Sequence, residues 1–214
     1  MSLSKTIIIN AAGMGSRLGF GHTKALLEVG GKPLIYHQLD AVKNYDDVRV
    51  VVGFDHQELI KTILRKRKNI TFVFNHEYKS TGTLGSLYRG SRFANDLVIS
   101  LDGDLLIKPS DLKKLLASNE EIIGYGPTNS DNPVCVDILM KKKLAFATKF
   151  HRQRTLFEWT GLVQVKKDKI TKNFEHVYQT LETCLPIRAM EIECREIDSP
   201  KDLVEAMRWA RNYF

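Results

Sequence analysis

Residues 10–26 read Asn-Ala-Ala-Gly-Met-Gly-Ser-Arg-Leu-Gly-Phe-Gly-His-Thr-Lys-Ala-Leu and hold the densest concentration of chemistry in the chain. They follow a short apolar run, Thr6-Ile7-Ile8-Ile9, that reads as a buried first strand. Gly13 and Gly15 remove side chains where the backbone must turn sharply, so successive amides can face an anion. Arg17 and Lys24 add two positive charges a few residues on. A glycine-rich turn after a strand, followed by such cations, suits a triphosphate. The amides donate to phosphate oxygens, and the cations offset charge that would repel an incoming anion. A tight turn flanked by solvated basic residues would carry the same letters.

Two other glycine loops fit less well. After Gly13-Met14-Gly15 the next glycine is Gly19, one place late for a dinucleotide fingerprint, and no acidic residue ends an early second strand. The Gly-Lys-Ser/Thr of a Walker loop is absent. Farther on, Asp102-Gly103-Asp104 closes an apolar run. Two carboxylates just past a strand end can meet a hard cation such as Mg²⁺, which takes oxygen ligands; a polar turn would look the same. His22, His37, His56, His76, His151 and His176 show no ligand spacing, and most read as loop or surface residues. Cys135, Cys184 and Cys194 form no metal-binding pattern, and their odd count predicts a reduced, cytoplasmic setting. No Ser/His or Cys/His pattern suggests a covalent intermediate.

The elements that must hold these groups alternate. Strands are expected at 48–54, 70–75 and 97–101, and helices at 55–68, 83–94 and 109–116. Leu59, Ile60, Ile63 and Leu64 fall at helical spacing, with Asp55 and Glu58 as a cap-like start. This order predicts a three-layer α/β fold with a mostly parallel central sheet and the site at the carboxyl ends of its strands. Strand-like stretches at 121–125, 134–140, 144–148 and 162–165 predict a small antiparallel insertion over that sheet. A helix at 169–184, a strand at 190–194 and a helix at 200–213, capped by Ser199 and Pro200, complete the reading. No repeat or linker divides the chain, so residues 1–214 read as a single domain.

Bulk properties narrow the partners. Of the 214 residues 43% are apolar and 27% charged, ordinary for a globular domain. No apolar run approaches a membrane span and no signal-peptide pattern opens the chain, so no membrane association is expected. The 32 basic and 25 acidic residues leave a net charge of +7. The basic run at 61–68 sits at a helix end, where cations complement the dipole, and no aromatic-interleaved basic stripe accompanies it. Nucleic acid is therefore not an expected partner; a modest positive field suits small phosphorylated substrates. A homo-oligomer is left open.

Several segments together carry a resemblance. Ala11-Ala12-Gly13-Met14-Gly15-Ser16-Arg17-Leu18, Thr23-Lys24-Ala25-Leu26-Leu27 and Gly31-Lys32-Pro33-Leu34-Ile35 resemble the signature of the nucleoside-triphosphate-dependent sugar-phosphate nucleotidyltransferases. Thr81-Gly82-Thr83-Leu84-Gly85-Ser86-Leu87, Leu101-Asp102-Gly103-Asp104, Glu158-Trp159-Thr160-Gly161 and the segment from Glu196 to Leu203 follow in that family's order. Phe74-Asn75-His76-Glu77-Tyr78 with Ser86-Leu87-Tyr88 is most similar to the phosphocholine cytidylyltransferases within it. Thr23 stands where the family usually has proline, and the loop at 17–24 is short.

The resemblance implies a GT-A-like, Rossmann-related nucleotidyltransferase fold with Mg²⁺ as cofactor. A nucleoside monophosphate, CTP being the favoured donor, would pass to phosphocholine, a sugar 1-phosphate or a polyol phosphate, releasing pyrophosphate. It implies nucleotide contacts from Ala11, Ala12, Gly13, Met14, Gly15, Ser16, Thr81, Gly82 and Thr83, with Asp102 near the ribose. Asp104 and Asp198 would hold the metal, although an acid ahead of Ser199-Pro200 also suits a helix start. Arg17 and Lys24 would meet the β and γ phosphates, Lys149 the transferred phosphate, and Glu158 and Gly161 the acceptor. Trp159, Tyr125 and Phe157 could stack on a trimethylammonium group or simply pack the core. The alternatives are a GT-A glycosyltransferase using a nucleotide-sugar and a nucleotide-binding domain without turnover.

Overall fold

Ile7, Ile8 and Ile9 are each fully buried, as a strand covered on both faces requires. Alternation divides them: Ile7 and Ile9 join the apolar cluster on one face of the sheet, and Ile8 joins the cluster on the other. The computed structural model describes residues 4–15, 21–172 and 175–214. Its strands are β1 (Lys5–Ala11), β2 (Glu28–Val29), β3 (Lys32–Pro33), β4 (Val48–Val52), β5 (Thr71–Phe74), β6 (Leu97–Asp102), β7 (Leu105–Ile107), β8 (Ile122–Pro127), β9 (Cys135–Lys141), β10 (Leu144–His151), β11 (Phe157–Lys166), β12 (Ile187–Glu191) and β13 (Cys194–Glu196). The α-helices are α1 (Leu34–Ala41), α2 (His56–Lys66), α3 (Thr83–Ser91), α4 (Pro109–Ala117), α5 (Val177–Glu182) and α6 (Pro200–Ala210).

Nine strands form one sheet in the order β5-β4-β1-β6-β11-β8-β12-β10-β9. From β5 to β6 all neighbours are parallel, joined by α2, α3 and the segment carrying α1. Beyond β6 the sheet is mixed: β11 lies antiparallel to β6 and β8, β8 and β12 are parallel, and β10 is antiparallel to β12 and β9. Leu39, Leu59, Ile63, Leu112 and Leu115 bring α1, α2 and α4 onto one face. Leu84, Leu87, Val177 and Leu181 bring α3 and α5 onto the other. The result is the expected three-layer α/β architecture. Its antiparallel strands extend the sheet rather than lie over it, because β11 pairs with the edge β6 would otherwise leave open.

Several local features differ from those expected. The helix expected at 169–184 is shorter, α5, and residues 173–174 lie outside the described part. The strand expected at 190–194 is two strands: β12 ends in the main sheet, and β13 turns to pair with β7. Asp55 does not cap α2 with its side chain; it adopts a left-handed conformation (φ 50°) and lies 3.0 Å from His22 Nδ1. His37 is buried, with Nε2 2.8 Å from the Val29 carbonyl, because α1 packs over the β2–β3 turn. Ser199 caps α6 with Pro200 in its first turn, as expected, and Asp202 returns the cap to Ser199. Among the described residues no helix is long and apolar enough to cross a membrane.

Candidate active site

The carboxyl ends of β1 and β6 open onto a cavity of about 360 Å³. Ala11, Ala12, Gly13 and Gly15 line it from the turn after β1, and Thr81, Gly82 and Thr83 line it from the start of α3. Asp102 enters from the last position of β6 and Asp104 from the turn after it, and Lys24 and Glu196 complete that side. Met14 is exposed and absent from this lining. Ser16 and Arg17 lie outside the described residues. Gly15 must be glycine twice over: its φ is +58°, and a β-carbon would stand 2.8 Å from Lys24 Cγ. The turn and the lysine stem therefore pack as one unit.

Thr81 is fixed from both sides. Its hydroxyl donates to the Glu77 carbonyl at 2.9 Å and accepts from Asn75 Nδ2 at 3.0 Å. Asn75 Nδ2 also reaches Ser86 Oγ at 3.0 Å, tying the turn to α3. Among the described residues no side chain caps α3, whose first turn begins at the cavity wall.

The acidic groups converge through pairing distant in sequence. β13 lies antiparallel to β7 with Glu196 opposite Leu105, and Ile197 N donates to the Asp104 carbonyl at 3.1 Å. Asp104, Glu196 and Asp198 each thereby offer an oxygen, all within 4.8 Å of one another. Lys24 Nζ donates to Asp104 Oδ2 at 2.8 Å and to Asp198 Oδ1. Burial disfavours that ammonium, but the two carboxylates outweigh it and raise the Lys24 pKa. The donor set consists of hard oxygens, as Mg²⁺ requires, and an ammonium already resting against it marks a locus that attracts positive charge.

Asp102 sits deeper. Desolvation, then the neighbouring Asp104 charge, push its carboxyl up to about 7, against a hydrogen bond from Asn10 Nδ2 at 3.3 Å. Glu196, although exposed as a residue, has its carboxyl pushed up to about 8, first by desolvation and then by Asp104, Asp198 and Asp102. Gln38 Nε2 clamps the turn from below, donating to the carbonyls of Asp102 (2.8 Å) and Leu105 (2.9 Å). Gly161, with φ +79°, backs onto Asp102: a β-carbon there would lie 2.9 Å from Oδ2.

A second cavity, of about 760 Å³, adjoins the first through Glu196. Glu158, Trp159 and Asp198 line it with Ser130, Asp131 and Glu191. The Glu158 carboxylate accepts from Asn129 N (2.9 Å), Ser130 N (3.2 Å) and Ser130 Oγ. Of the three aromatics considered from sequence, only Trp159 lines this space; Tyr125 and Phe157 pack edge-to-face at 5.3 Å. Lys149 is exposed on β10, opposite Asp137, and lines neither cavity. The sequence reading did not single out Glu196, Gln38 or Asn10. Glu196 carried a signal, since Glu196-Ile197-Asp198 repeats the spacing of Asp102-Gly103-Asp104.

Residues 7–164 match a family described as the MobA-like NTP transferase domain. The bifunctional protein GlmU of Sulfurovum sp. is 28% identical over 152 residues, 65% of this chain and 35% of that relative. The chain thus spans about a third of that relative's length. A UDP-glucose pyrophosphorylase solved with UDP-glucose superposes with a TM-score of 0.79 at 16% identity, covering 98% of this chain and 99% of its own. The CTP:phosphocholine cytidylyltransferase of Streptococcus pneumoniae superposes with a TM-score of 0.76 at 21% identity, covering 97% and 100%. At such identities these superpositions establish the fold.

Proposed function

We propose that this chain, which belongs to the MobA-like NTP transferase family, transfers a nucleoside monophosphate from CTP to a small phosphorylated acceptor, with phosphocholine favoured. One observation carries the reading. The glycine turn, the Thr81-Gly82-Thr83 segment, Asp104 and Glu196 border one cavity, and Asp198, whose oxygen converges with theirs, lines a second cavity that adjoins the first at Glu196.

An oxygen of the acceptor phosphate attacks the α-phosphorus of the triphosphate. The bond from that phosphorus to the bridging oxygen of the β-phosphate breaks, and pyrophosphate leaves with the electron pair. Two phosphate anions must be brought together, so catalysis is chiefly positioning and charge neutralisation. The amides of 12–15 receive the phosphates, Thr81-Gly82-Thr83 seats base and ribose, and Asp102 faces the ribose. Lys24, and by resemblance Arg17, neutralise the departing pyrophosphate. Asp104 and Asp198, with Glu196 beside them, would hold Mg²⁺, whose charge offsets that of the α-phosphate. The role of Lys149 at the transferred phosphate rests on resemblance alone.

The acceptor preference rests on charge. Nine carboxylate side chains and four basic ones line the second cavity, with Trp159 among them. Such a wall favours a cationic headgroup, which an indole face also attracts, over the neutral hydroxyls of a sugar. The likeness to a CTP:phosphocholine cytidylyltransferase supports the same choice. The test is to incubate each of the four triphosphates with phosphocholine, sugar 1-phosphates and polyol phosphates in Mg²⁺ and to measure pyrophosphate. Release that requires both CTP and phosphocholine is expected. Glycosyl transfer from a nucleotide-sugar, with no pyrophosphate from any triphosphate, would favour the glycosyltransferase alternative.

A further inference from the structure

We infer that Lys24 is a resident cation of the divalent-metal locus, and that it leaves those carboxylates only when a triphosphate offers it other oxygens. Metal and nucleotide then bind as a coupled pair. The inference rests on the nucleotidyltransferase reading above and adds an exchange of cations to it.

Lys24 Nζ bridges Asp104 and Asp198, two of the three carboxylates whose oxygens converge. A divalent ion bound by the same oxygens would stand a few ångströms from the ammonium, where like charges repel strongly in a partly desolvated cleft. Both cannot hold their full contacts at once. The lysine has little recourse to water, since its side chain is only 14% exposed. Its backbone is also held: Leu26 N donates to Thr23 O, Leu27 N donates to Lys24 O, and Ala25 is buried. Exchange therefore falls to the side chain, whose stem lies against Gly15 in the glycine turn. A polyanion received by that turn presents oxygens beside the same stem. Drawing Nζ towards them frees Asp104 and shifts the contacts of Asp198, and linkage makes the effect reciprocal.

The test is Mn²⁺ titration of the full chain without nucleotide, reading free Mn²⁺ by electron paramagnetic resonance, for wild type, Lys24→Met and Lys24→Arg. Lys24→Met should bind Mn²⁺ more tightly by on the order of tenfold or more, and Lys24→Arg should stay near wild type. In Lys24→Met with Asp104→Ala the gain should vanish. Equal or weaker binding in Lys24→Met overturns the inference. If Lys24→Met is unstable without cation, thermal melts across a Mg²⁺ series give the reading. A larger Mg²⁺-induced rise in Tm than in wild type supports the exchange, and an equal or smaller rise refutes it. Pyrophosphate release by wild type with no Mn²⁺ gain in Lys24→Met sinks the exchange alone. A Mn²⁺ gain without pyrophosphate from any substrate pair sinks the functional reading alone.

Discussion

Gly161→Ala tests whether the second half of the chain holds Asp102 in place. Gly161 has φ +79°, and an added β-carbon would come within 2.9 Å of Asp102 Oδ2 and 3.4 Å of Leu105 Cδ1. The left-handed conformation costs a non-glycine residue about 1–2 kcal/mol. Relieving the contact moves a partly buried carboxylate away from Asn10 Nδ2, its partner at 3.3 Å, and loss of that bond adds about 1 kcal/mol. The sum is about 2–3 kcal/mol, roughly a hundredfold in the folding equilibrium. Equilibrium urea unfolding reads this as a lower midpoint at unchanged slope. The displaced Asp102 should also lower kcat by roughly tenfold even under conditions where the variant is folded. Stability within about 0.5 kcal/mol of wild type, the range of substitutions that meet nothing, together with wild-type turnover, would show that Gly161 does not hold Asp102 in place.

Other outcomes follow from the same geometry. Gly13→Ala meets nothing within 4 Å. It should leave stability within about 0.5 kcal/mol yet weaken triphosphate binding in isothermal titration; unchanged affinity would place the triphosphate elsewhere. Asp104→Ala should abolish pyrophosphate release while the circular dichroism spectrum stays native, and a wild-type rate in added Mg²⁺ would contradict the metal assignment. Glu193 accepts from Trp209 Nε1 (2.7 Å), Lys108 Nζ (2.9 Å) and Tyr213 Oη (3.0 Å), which hold its pKa down at about 2, from an ordinary 4.5. Because the folded value is depressed, its stabilisation is complete above about pH 4.5 and is lost as pH falls towards 2. Glu193→Gln should therefore lower Tm at neutral pH and flatten its acid decline across that window; parallel Tm profiles for the two proteins would contradict this.

The sequence disclosed what is local and periodic. The Ile7-Ile8-Ile9 strand, the glycine turn behind it, the Ser199-Pro200 cap and the paired aspartates at the end of β6 each rest on neighbouring residues, and each is found. Partnerships across long separations were hidden. Lys24 and Asp198 are 174 residues apart, and nothing in their spacing shows that β13 leaves the main sheet to pair with β7. Glu196 and Gln38 were missed for the same reason, one brought in by that pairing and the other reaching the Asp102 turn from α1. Residues 162–165 read as a short strand because the bulge between Trp159 and Val163 breaks the alternation that marks the longer β11. Arg17, read from sequence as a phosphate contact, lies outside the described residues.

Nucleotidyl transfer across this cleft leaves a distinct fate for each phosphate of the donor. The most direct measurement follows two labels in CTP, one at the α-phosphate and one at the γ-phosphate, during incubation with phosphocholine and Mg²⁺. The α label should appear in the acceptor product while the γ label leaves in pyrophosphate, in equal amounts. Transfer of the γ label to the acceptor, or release of the γ label as free phosphate with no α label in product, would contradict it.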